Sequence, residues 1–505
     1  MVDSNNKRIA RNTIMLYIRM IVIAFVSFYT TRITLQLLGV EDFGIKNVIS
    51  GIIGFMSIVT TAMVNASLRF LSYDLGKTDI NQFCSTYSML INMFLIFSAL
   101  GVVALEAVGP VLINNYLVIP EGRLIAAHWI FQFSVLSFVI STMSVPFTSA
   151  VIASEKMDVF AYVSLLDAGL KLAVVFLLYV VPFDKLVAVV LFTVLAHFVT
   201  NSIYYIYCKT RIKGCRYIKC WDKGLLKKLS SFMGWNLFGS TTSVLTVQGL
   251  SILLNMFFGP IINAAKGIAD TINSFVSQVV SNFFLAVSPQ IVKTYANDEK
   301  DYSLRLVIYS SKFAIYLIAL LGIPLINNME PLLDIWLGEE RVTSEMILFS
   351  QWTIIYVMSQ TYEYPITQTV RATGDIKNYQ IINGLILLSF IPLCYCAFTM
   401  GMPAISSIII LVALTIVALQ YRIIKLTRIL DISVWTYYYK VVIPSLIAIL
   451  PTAIIIRFIN IDNSSLLKLI FSVTVSFLIT FIFVTTIGMS RKEREFALSF
   501  IKKRK

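Results

Sequence analysis

The sequence predicts an all-α polytopic membrane protein, and its composition, the length of its apolar segments and an internal repeat support this prediction. Hydrophobic residues make up 58% of the 505 positions and charged residues only 13%. Soluble globular proteins carry about 25% charged residues. Apolar stretches of the ~20 residues that a helix needs to cross a bilayer occur about 14 times. Each stretch is much longer than a barrel strand, so helices are expected.

The repeat indicates that the chain contains two related six-helix units. Three sequence matches occur in the same order in both halves: Gly39 and Lys46 with Gly259 and Lys266, Leu112–Asn115 with Leu325–Asn328, and Pro146-x-Thr-x-x-Val-x-Ala with the same pattern from Pro365. An even number of crossings in each unit makes the repeats parallel. Duplicated units with a site between them are typical of alternating-access transporters.

The predicted organisation follows from this repeat and from the position of the basic segments. It consists of an N-terminal six-helix lobe (1–208), a basic cytoplasmic linker (209–232), a C-terminal six-helix lobe (233–425), two additional helices (426–490) and a basic cytoplasmic tail (491–505).

The distribution of basic residues predicts the orientation of the chain in the membrane. The formal net charge is +14, and most of the 41 Lys and Arg residues fall on one side if the N-terminus is cytoplasmic. This asymmetry follows the positive-inside rule and places both termini in the cytoplasm. The basic segments are expected to lie against anionic lipid headgroups, so nucleic acid is not an expected partner.

No pattern in the sequence indicates an enzyme. The two histidines, His128 and His197, have no metal-ligand partners at a suitable spacing, and the cysteines do not form paired C-x-x-C motifs. A phosphate-binding P-loop and a Gly-x-Ser-x-Gly motif are also absent from the sequence. We therefore expect a transporter without catalytic residues, a bound metal or a cofactor.

Two predicted helices carry polar stripes that match between the halves. Helix 2 carries Lys46, Ser50, Ser57 and Thr61, continuing to Asn65 and Arg69, and helix 8 carries Lys266, Asp270, Asn273, Ser277 and Ser281. Their spacing of three, four or seven residues puts each set near one helix face. Lipid would reject such faces, so we expect them to line a cavity. The alternatives are hydroxyl contacts between helices and lysines that extend to the membrane surface.

Helix 1 carries two arginines within its apolar stretch. Arg19 lies near the predicted inner end and could reach the membrane surface, whereas Arg32 lies near the outer end. A charge at the bilayer centre costs about 2.5–3.5 kcal/mol on insertion scales. An arginine within an apolar stretch is therefore expected either to reach the membrane surface or to have a functional role. Arg32 is the stronger candidate for a cavity cation.

Helix 10 combines a carboxylate, an amide and a proline in its apolar stretch. Glu363 lies two residues before Pro365, and Gln360 lies one turn earlier. Pro365 permits a hinge, as does its repeat counterpart Pro146. Glu363 could carry a coupling proton or pair with a cavity cation. Alternatively, it makes a structural hydrogen bond between helices.

Several motifs resemble those of a known transporter family. They are Leu38-Gly-Val-Glu-Asp-Phe-Gly44, Gly259-Pro260 with Asn263-Ala-Ala-Lys-Gly-Ile-Ala269, and Ser288-Pro-Gln-Ile291 with Lys293-Thr-Tyr-Ala296. The chain resembles, over essentially its whole length, bacterial polysaccharide transporters of the O-antigen flippase type. These belong to the multidrug/oligosaccharidyl-lipid/polysaccharide (MOP) flippase superfamily.

The resemblance implies a flippase in the bacterial inner membrane. Such proteins move polyprenyl-diphosphate-linked oligosaccharides from the cytoplasmic to the periplasmic leaflet. Membrane lipids and the polymerase or assembly proteins of the polysaccharide are the further partners that it implies. The alternatives are a multidrug/cation antiporter of the same superfamily, a membrane glycosyltransferase, ligase or polymerase acting on the same lipid, and a scaffold or receptor without transport activity.

Overall fold

The computed structural model describes residues 2–76, 80–154, 156–296, 300–373, 377–458, 466–491 and 493–494. Of the described chain, 90% is helical and none is strand, which confirms the predicted all-α fold class. Within the described residues, ten helical spans, some of them made of two consecutive helices, are long and apolar enough to cross a membrane. The protein is therefore a multi-pass membrane protein.

The α-helices have the following bounds: α1 Val2–Gly54, α2 Ser57–Gly76, α3 Ile80–Asn115, α4 Leu124–Ala153, α5 Met157–Leu177, α6 Lys185–Arg211, α7 Lys223–Val244, α8 Leu250–Phe258, α9 Pro260–Ala296, α10 Lys300–Asn327, α11 Met329–Leu337, α12 Ser344–Thr361, α13 Glu363–Thr373, α14 Lys377–Leu388, α15 Phe390–Thr399, α16 Ser406–Leu430, α17 Val434–Tyr437, α18 Ile443–Phe458 and α19 Leu466–Phe483. Short 3₁₀ turns lie at Glu121–Arg123 and Glu339–Arg341, and π-helical turns at Leu245–Gly249, Tyr438–Val442 and Val484–Gly488.

Several predicted spans are interrupted helices in the structure. A turn at Phe55–Met56 separates α1 from α2, and a turn at Tyr362 separates α12 from α13. The second break has a direct cause in the sequence. Pro365 has no backbone N–H, so the carbonyl of Thr361, four residues earlier, has no helical partner. Pro146 lies inside α4, which continues without a break to Ala153.

By packing, the chain divides into two compact units, Met1–Ala264 (unit 1) and Ala265–Lys505 (unit 2). The boundary falls in the first turns of α9, so α7 and α8 pack with the N-terminal helices. Within unit 1, α4 lies along α6 and α3, while α2 packs against α7. The domain boundaries predicted from the sequence stay a prediction.

The core of unit 1 is formed by two hydrophobic clusters. One joins the end of α1 to α3, α4, α5 and α6, and includes Ile45, Ile49 and Phe131. The other joins α2 to α3, α4 and α7, and includes Phe94 and Leu229. All five of these side chains are at most 1% exposed, so burial of apolar surface holds these helices together.

In unit 2, α10 is the central helix. It packs against α12, α13, α18 and α19, and α12 also contacts α16. The core includes Tyr316, Ile423 and Tyr437. Buried polar contacts fix this packing: the Tyr316 hydroxyl donates to the Gly488 carbonyl at 2.7 Å, and Lys312 pairs with Glu493 at 2.7 Å.

The internal repeat is visible in the backbone. Gly39 has φ 79° and ψ 172°, and Gly259 has φ 78° and ψ −171°. Only glycine adopts this region readily. At each position the chain bends between two helical segments, and a matched lysine follows seven residues later, at Lys46 and Lys266. The sequence match at these glycines therefore marks an equivalent bend in each half.

One end of unit 1 is held together by an arginine between two carboxylates. The Arg123 side chain donates from Nε to Oδ1 of Asp42 at 2.7 Å and from Nη1 to Oδ2 of Asp184 at 2.6 Å. Asp184 also caps α6 by accepting from the Leu186 amide at 2.8 Å. The bend at Gly39, the α3–α4 connection and the start of α6 are thereby tied together.

Candidate functional site

Unit 1 contains a cavity of about 500 Å³ between the end of α1, α2, α4 and α6. Its polar lining consists of hydroxyls, one amine and one imidazole: Lys46, Ser50, Ser57, Thr60, Thr61, Ser134, Ser137, Ser141, Thr142, Thr193 and His197. Binding cavities of small ligands commonly measure about 300–1,000 Å³. The size and polarity of this cavity suit a hydrophilic group.

The sequence places these side chains on the cavity through helical spacing. Lys46, Ser50, Ser57 and Thr61, the stripe predicted on helix 2, all line it. The turn at Phe55–Met56 does not move the second half of the stripe away from the first. Hydroxyls on α4 and α6 complete the lining.

Lys46 is the only lysine or arginine among the described residues that line the cavity, and none of these described residues is a carboxylate. Its ammonium lies 5.6 Å from the centre of the Phe43 ring. Among the described residues, no carboxylate lies within ion-pair distance of Lys46. A half-buried lysine without a counter-ion gives the cavity a positive potential, which favours an anionic ligand.

Two further ionisable features contribute to the electrostatics of this cavity. On α6, His197 Nδ1 lies 2.8 Å from the Ser137 hydroxyl of α4. On α5, Lys171 forms an ion pair with Asp167 at 2.8 Å. The charge of Lys171 acts on both Lys46 and His197. Because Asp167 offsets the charge of Lys171, Lys46 remains the uncompensated cation of this cavity among the described residues.

In the matched stripe of unit 2, the lysine forms an ion pair. Lys266 is 6% exposed and its ammonium lies 2.6 Å from Oδ2 of Asp270. The next residues of this stripe also pair with each other, because the Ser277 hydroxyl donates to the Asn273 side-chain oxygen at 2.9 Å. Lys266 is thus neutralised within its own helix, and its predicted role as a cavity cation stays a prediction.

Unit 2 instead contains a charged pair between α13 and α16. Arg422 Nη1 lies 2.6 Å from Oε2 of Glu363. The Arg422 side chain is 3% exposed and the Glu363 side chain 31% exposed. Sequence analysis named Glu363 but missed Arg422. The sequence signal was an arginine within two residues of the end of an apolar stretch, and its partner on another helix could not be identified from the sequence.

Polar side chains surround this pair in unit 2. On α12, the Gln360 amide donates to the Tyr356 hydroxyl. The Thr367 and Tyr379 hydroxyls lie 2.7 Å apart and join α13 to α14. Gln360 and Glu363, both predicted site residues, therefore lie in one polar cluster with Arg422.

The other predicted site residues are dispersed. Arg32 is half-buried on α1, and Arg69 is exposed on α2, with its guanidinium 4.4 Å from the Phe232 ring centre of α7. Neither lines the cavity of unit 1. The side chains of Arg19 and Asn65 lie outside the described residues. The roles of these four residues, and of Pro146 and Pro365 as hinges, stay predictions.

The side chains of α4 and α6 that line the cavity were not among the predicted site residues. Ser134, Ser137 and Ser141 repeat at helical spacing on α4, and this pattern could have been recognised in the sequence. His197 was considered only as a metal ligand. No cluster of His, Cys, Asp or Glu suited to a metal ion occurs in the described part of the chain.

Comparison with solved structures gives the same fold in membrane transporters. The chain is similar to lipid II flippase MurJ in an inward closed conformation, with a TM-score of 0.72 and 13% identity over 94% of this chain and 98% of that one. It is similar to an inward-facing multidrug resistance MATE family transporter of the MOP superfamily, with a TM-score of 0.68 and 11% identity over 82% and 99%. A mutant of the Vibrio cholerae MATE transporter VcmN gives a TM-score of 0.61 and 16% identity over 85% and 98%.

At these identities the likeness shows the fold alone. No protein-family model matches the chain, and no curated protein matches it in sequence. The fold predicted from the resemblance is thus found in structures of the MOP superfamily.

Proposed function

We propose that the protein is a flippase for a polyprenyl-diphosphate-linked oligosaccharide. It moves the lipid-linked repeat unit from the cytoplasmic to the periplasmic leaflet of the bacterial inner membrane, for the synthesis of a surface polysaccharide such as O-antigen or capsule. The shared fold with a lipid II flippase supports the class of substrate.

The observation that carries the proposal is the composition of the cavity in unit 1. A diphosphate attached to a sugar presents negative charge and many hydroxyl groups, and neither can cross hydrocarbon unaided. Lys46 supplies a cation without a counter-ion, and the serines and threonines of α2, α4 and α6 supply hydrogen-bond donors and acceptors. The part of the lining that the structure describes contains no carboxylate that would repel a diphosphate.

A deletion strain tests the proposal in cells. We expect loss of the surface glycan and accumulation of lipid-linked repeat units in the cytoplasmic leaflet, both restored by the intact gene. A deletion strain with normal surface glycan, and without accumulated lipid-linked repeat units, would contradict the proposal.

The second candidate is a multidrug/cation antiporter. The MATE-family structures and the carboxylate of Glu363 favour it. However, the described contacts of Glu363 include an ion pair with Arg422, which reduces its attraction for an organic cation. Efflux of a fluorescent organic cation from cells that express the protein distinguishes the two candidates. The flippase proposal predicts no efflux above that of cells lacking the protein.

A further inference from the structure

His197 lies where it can respond to an anion in the cavity of unit 1. It lines the cavity from α6, and Lys46 lines the same cavity from α1. Ser137 of α4 contacts its Nδ1 atom at 2.8 Å. The imidazole is half-buried, so neighbouring charges act on it with less screening than at an open surface.

The charged groups that face His197 come from two of the three helices packed against α6. These helices are α1, α4 and α5. From α1 comes Lys46, and from α5 come Lys171 and its partner Asp167. The part of α4 that lines the cavity presents hydroxyls and apolar side chains only. Lys171 and Asp167 are paired with each other at 2.8 Å, so Lys46 is the remaining positive charge among the described residues of the cavity wall.

We propose that His197 is a second binding residue for the anionic headgroup, and that the cavity takes up a proton when the headgroup binds. This inference rests on the proposed function, since it assigns His197 to the same diphosphate-linked substrate. A diphosphate that enters the cavity brings negative charge to the two basic residues that line it, Lys46 and His197. Its field favours the imidazolium form, and the added proton comes from the aqueous phase.

The Ser137 hydroxyl suits both forms of the imidazole. A hydroxyl can donate to an unprotonated Nδ1 and can accept from a protonated one, so the contact survives protonation. Once both ring nitrogens carry protons, one can donate to Ser137 and the other to a phosphate oxygen. A charged hydrogen bond of this kind contributes about 1.5–3 kcal/mol, which corresponds to roughly a tenfold or larger gain in affinity.

Proton uptake is measurable by calorimetry. Purified full-length protein in lipid nanodiscs is titrated with farnesyl diphosphate as the probe, at pH 7.5, in two buffers with different heats of ionisation. We expect the native protein to take up a substantial fraction of one proton per bound probe. In His197→Gln, proton uptake should be lost and affinity should fall roughly tenfold.

The other histidine provides a matched control. His128 lies on α4 beside Asn114, with 2.9 Å between its Nε2 and the amide oxygen, and it does not line the cavity. His128→Gln should keep both the affinity and the proton uptake of the native protein. Equal proton uptake in His197→Gln, or binding without proton uptake in the native protein, would overturn the inference while leaving the flippase proposal intact. A native protein that binds no prenyl diphosphate would contradict the proposed function itself.

Discussion

At the residue scale, one position distinguishes the two matched lysines. Lys46 is followed four residues later by Ser50, and Lys266 is followed four residues later by Asp270. Residues four apart on a helix are neighbours, so Lys266 has a carboxylate within reach and Lys46 has only a hydroxyl. Sequence matching predicted two equivalent cavity cations. In the structure Asp270 neutralises Lys266, whereas Lys46 has no such carboxylate one turn away. The repeat therefore does not produce two equivalent cations.

Lys46 should therefore be the more sensitive of the two positions. Lys46→Ala removes the one lysine or arginine found in the described lining of the cavity, and we expect surface polysaccharide to fall at least tenfold at unchanged protein abundance. Lys46→Arg keeps the charge and should retain a substantial part of the activity. Lys156 is an exposed lysine of the same unit outside the cavity, and Lys156→Ala serves as the control. Normal polysaccharide in Lys46→Ala would remove Lys46 from the transport site.

The Glu363–Arg422 pair should stabilise unit 2. Glu363→Gln leaves the buried guanidinium of Arg422 without its counter-ion, which should lower the stability of the folded protein by at least about 1 kcal/mol. Double replacement of Glu363 and Arg422 by Gln should cost less than the sum of the two single changes. Thermal unfolding in detergent measures this coupling. If the two effects simply add, the pair contributes no specific stabilisation.

The same Glu363→Gln variant addresses proton coupling. If Glu363 carries a proton during transport, its removal should flatten the pH dependence of flipping in liposomes. An unaltered pH profile together with reduced stability would assign Glu363 a structural role only.

At the element scale, glycines and a proline determine where helices bend. The two bends at Gly39 and Gly259 and the break before Pro365 each follow from a single residue type whose backbone behaviour is known. These features were predictable from sequence as motifs. The turn at Phe55–Met56 and the π-helical turns were not predicted. Phe55–Met56 contains no glycine or proline, and Gly249, Gly488 and Pro444, which lie in or next to the π-helical turns, do not by themselves specify this type of turn.

Glycine replacements test the causes of helix packing in unit 1. Gly39→Ala forces alanine into a strained backbone region and should cost about 1–3 kcal/mol. Gly44→Ala places a Cβ 1.9 Å from the carbonyl oxygen of Pro260, so the two segments must separate. Both variants should melt at a lower temperature than the native protein.

The control for these variants is Gly169→Ala on α5. A Cβ at this position meets no atom within 4 Å, and alanine favours a helix by about 1 kcal/mol over glycine. We expect an unchanged or slightly higher melting temperature. If Gly44→Ala were as stable as Gly169→Ala, α1 and the start of α9 could not be packed as closely as the structure places them.

At the scale of the whole molecule, composition and apolar segment length predicted the fold class correctly. These properties reflect the bilayer, which imposes the same requirements on every spanning helix. Only one side of the cavity lining was predictable from the sequence. The stripe along the end of α1 and the start of α2 follows from helical spacing. The facing wall of Ser134, Ser137 and His197 depends on which helices become neighbours. Arg422 was missed for the same reason, because its partner Glu363 lies on a different helix.

The charge of the proposed substrate predicts an electrical driving force. Outward movement of two negative charges across a membrane that is negative inside by about 100 mV gains roughly 4–5 kcal/mol. Transport into proteoliposomes should therefore slow when an ionophore collapses the potential. Transport that is indifferent to the potential would require another source of energy, such as a coupled ion.

The most direct test of the central claim is transfer of the lipid itself by the purified protein. Proteoliposomes would be loaded with polyprenyl-diphosphate-linked oligosaccharide isolated from the deletion strain, and the glycan exposed in the opposite leaflet would be measured over time with an impermeant glycosidase. We predict time-dependent transfer by the native protein and transfer close to that of protein-free vesicles for Lys46→Ala. Transfer by the native protein no faster than in protein-free vesicles, or equal transfer by Lys46→Ala, would contradict the account.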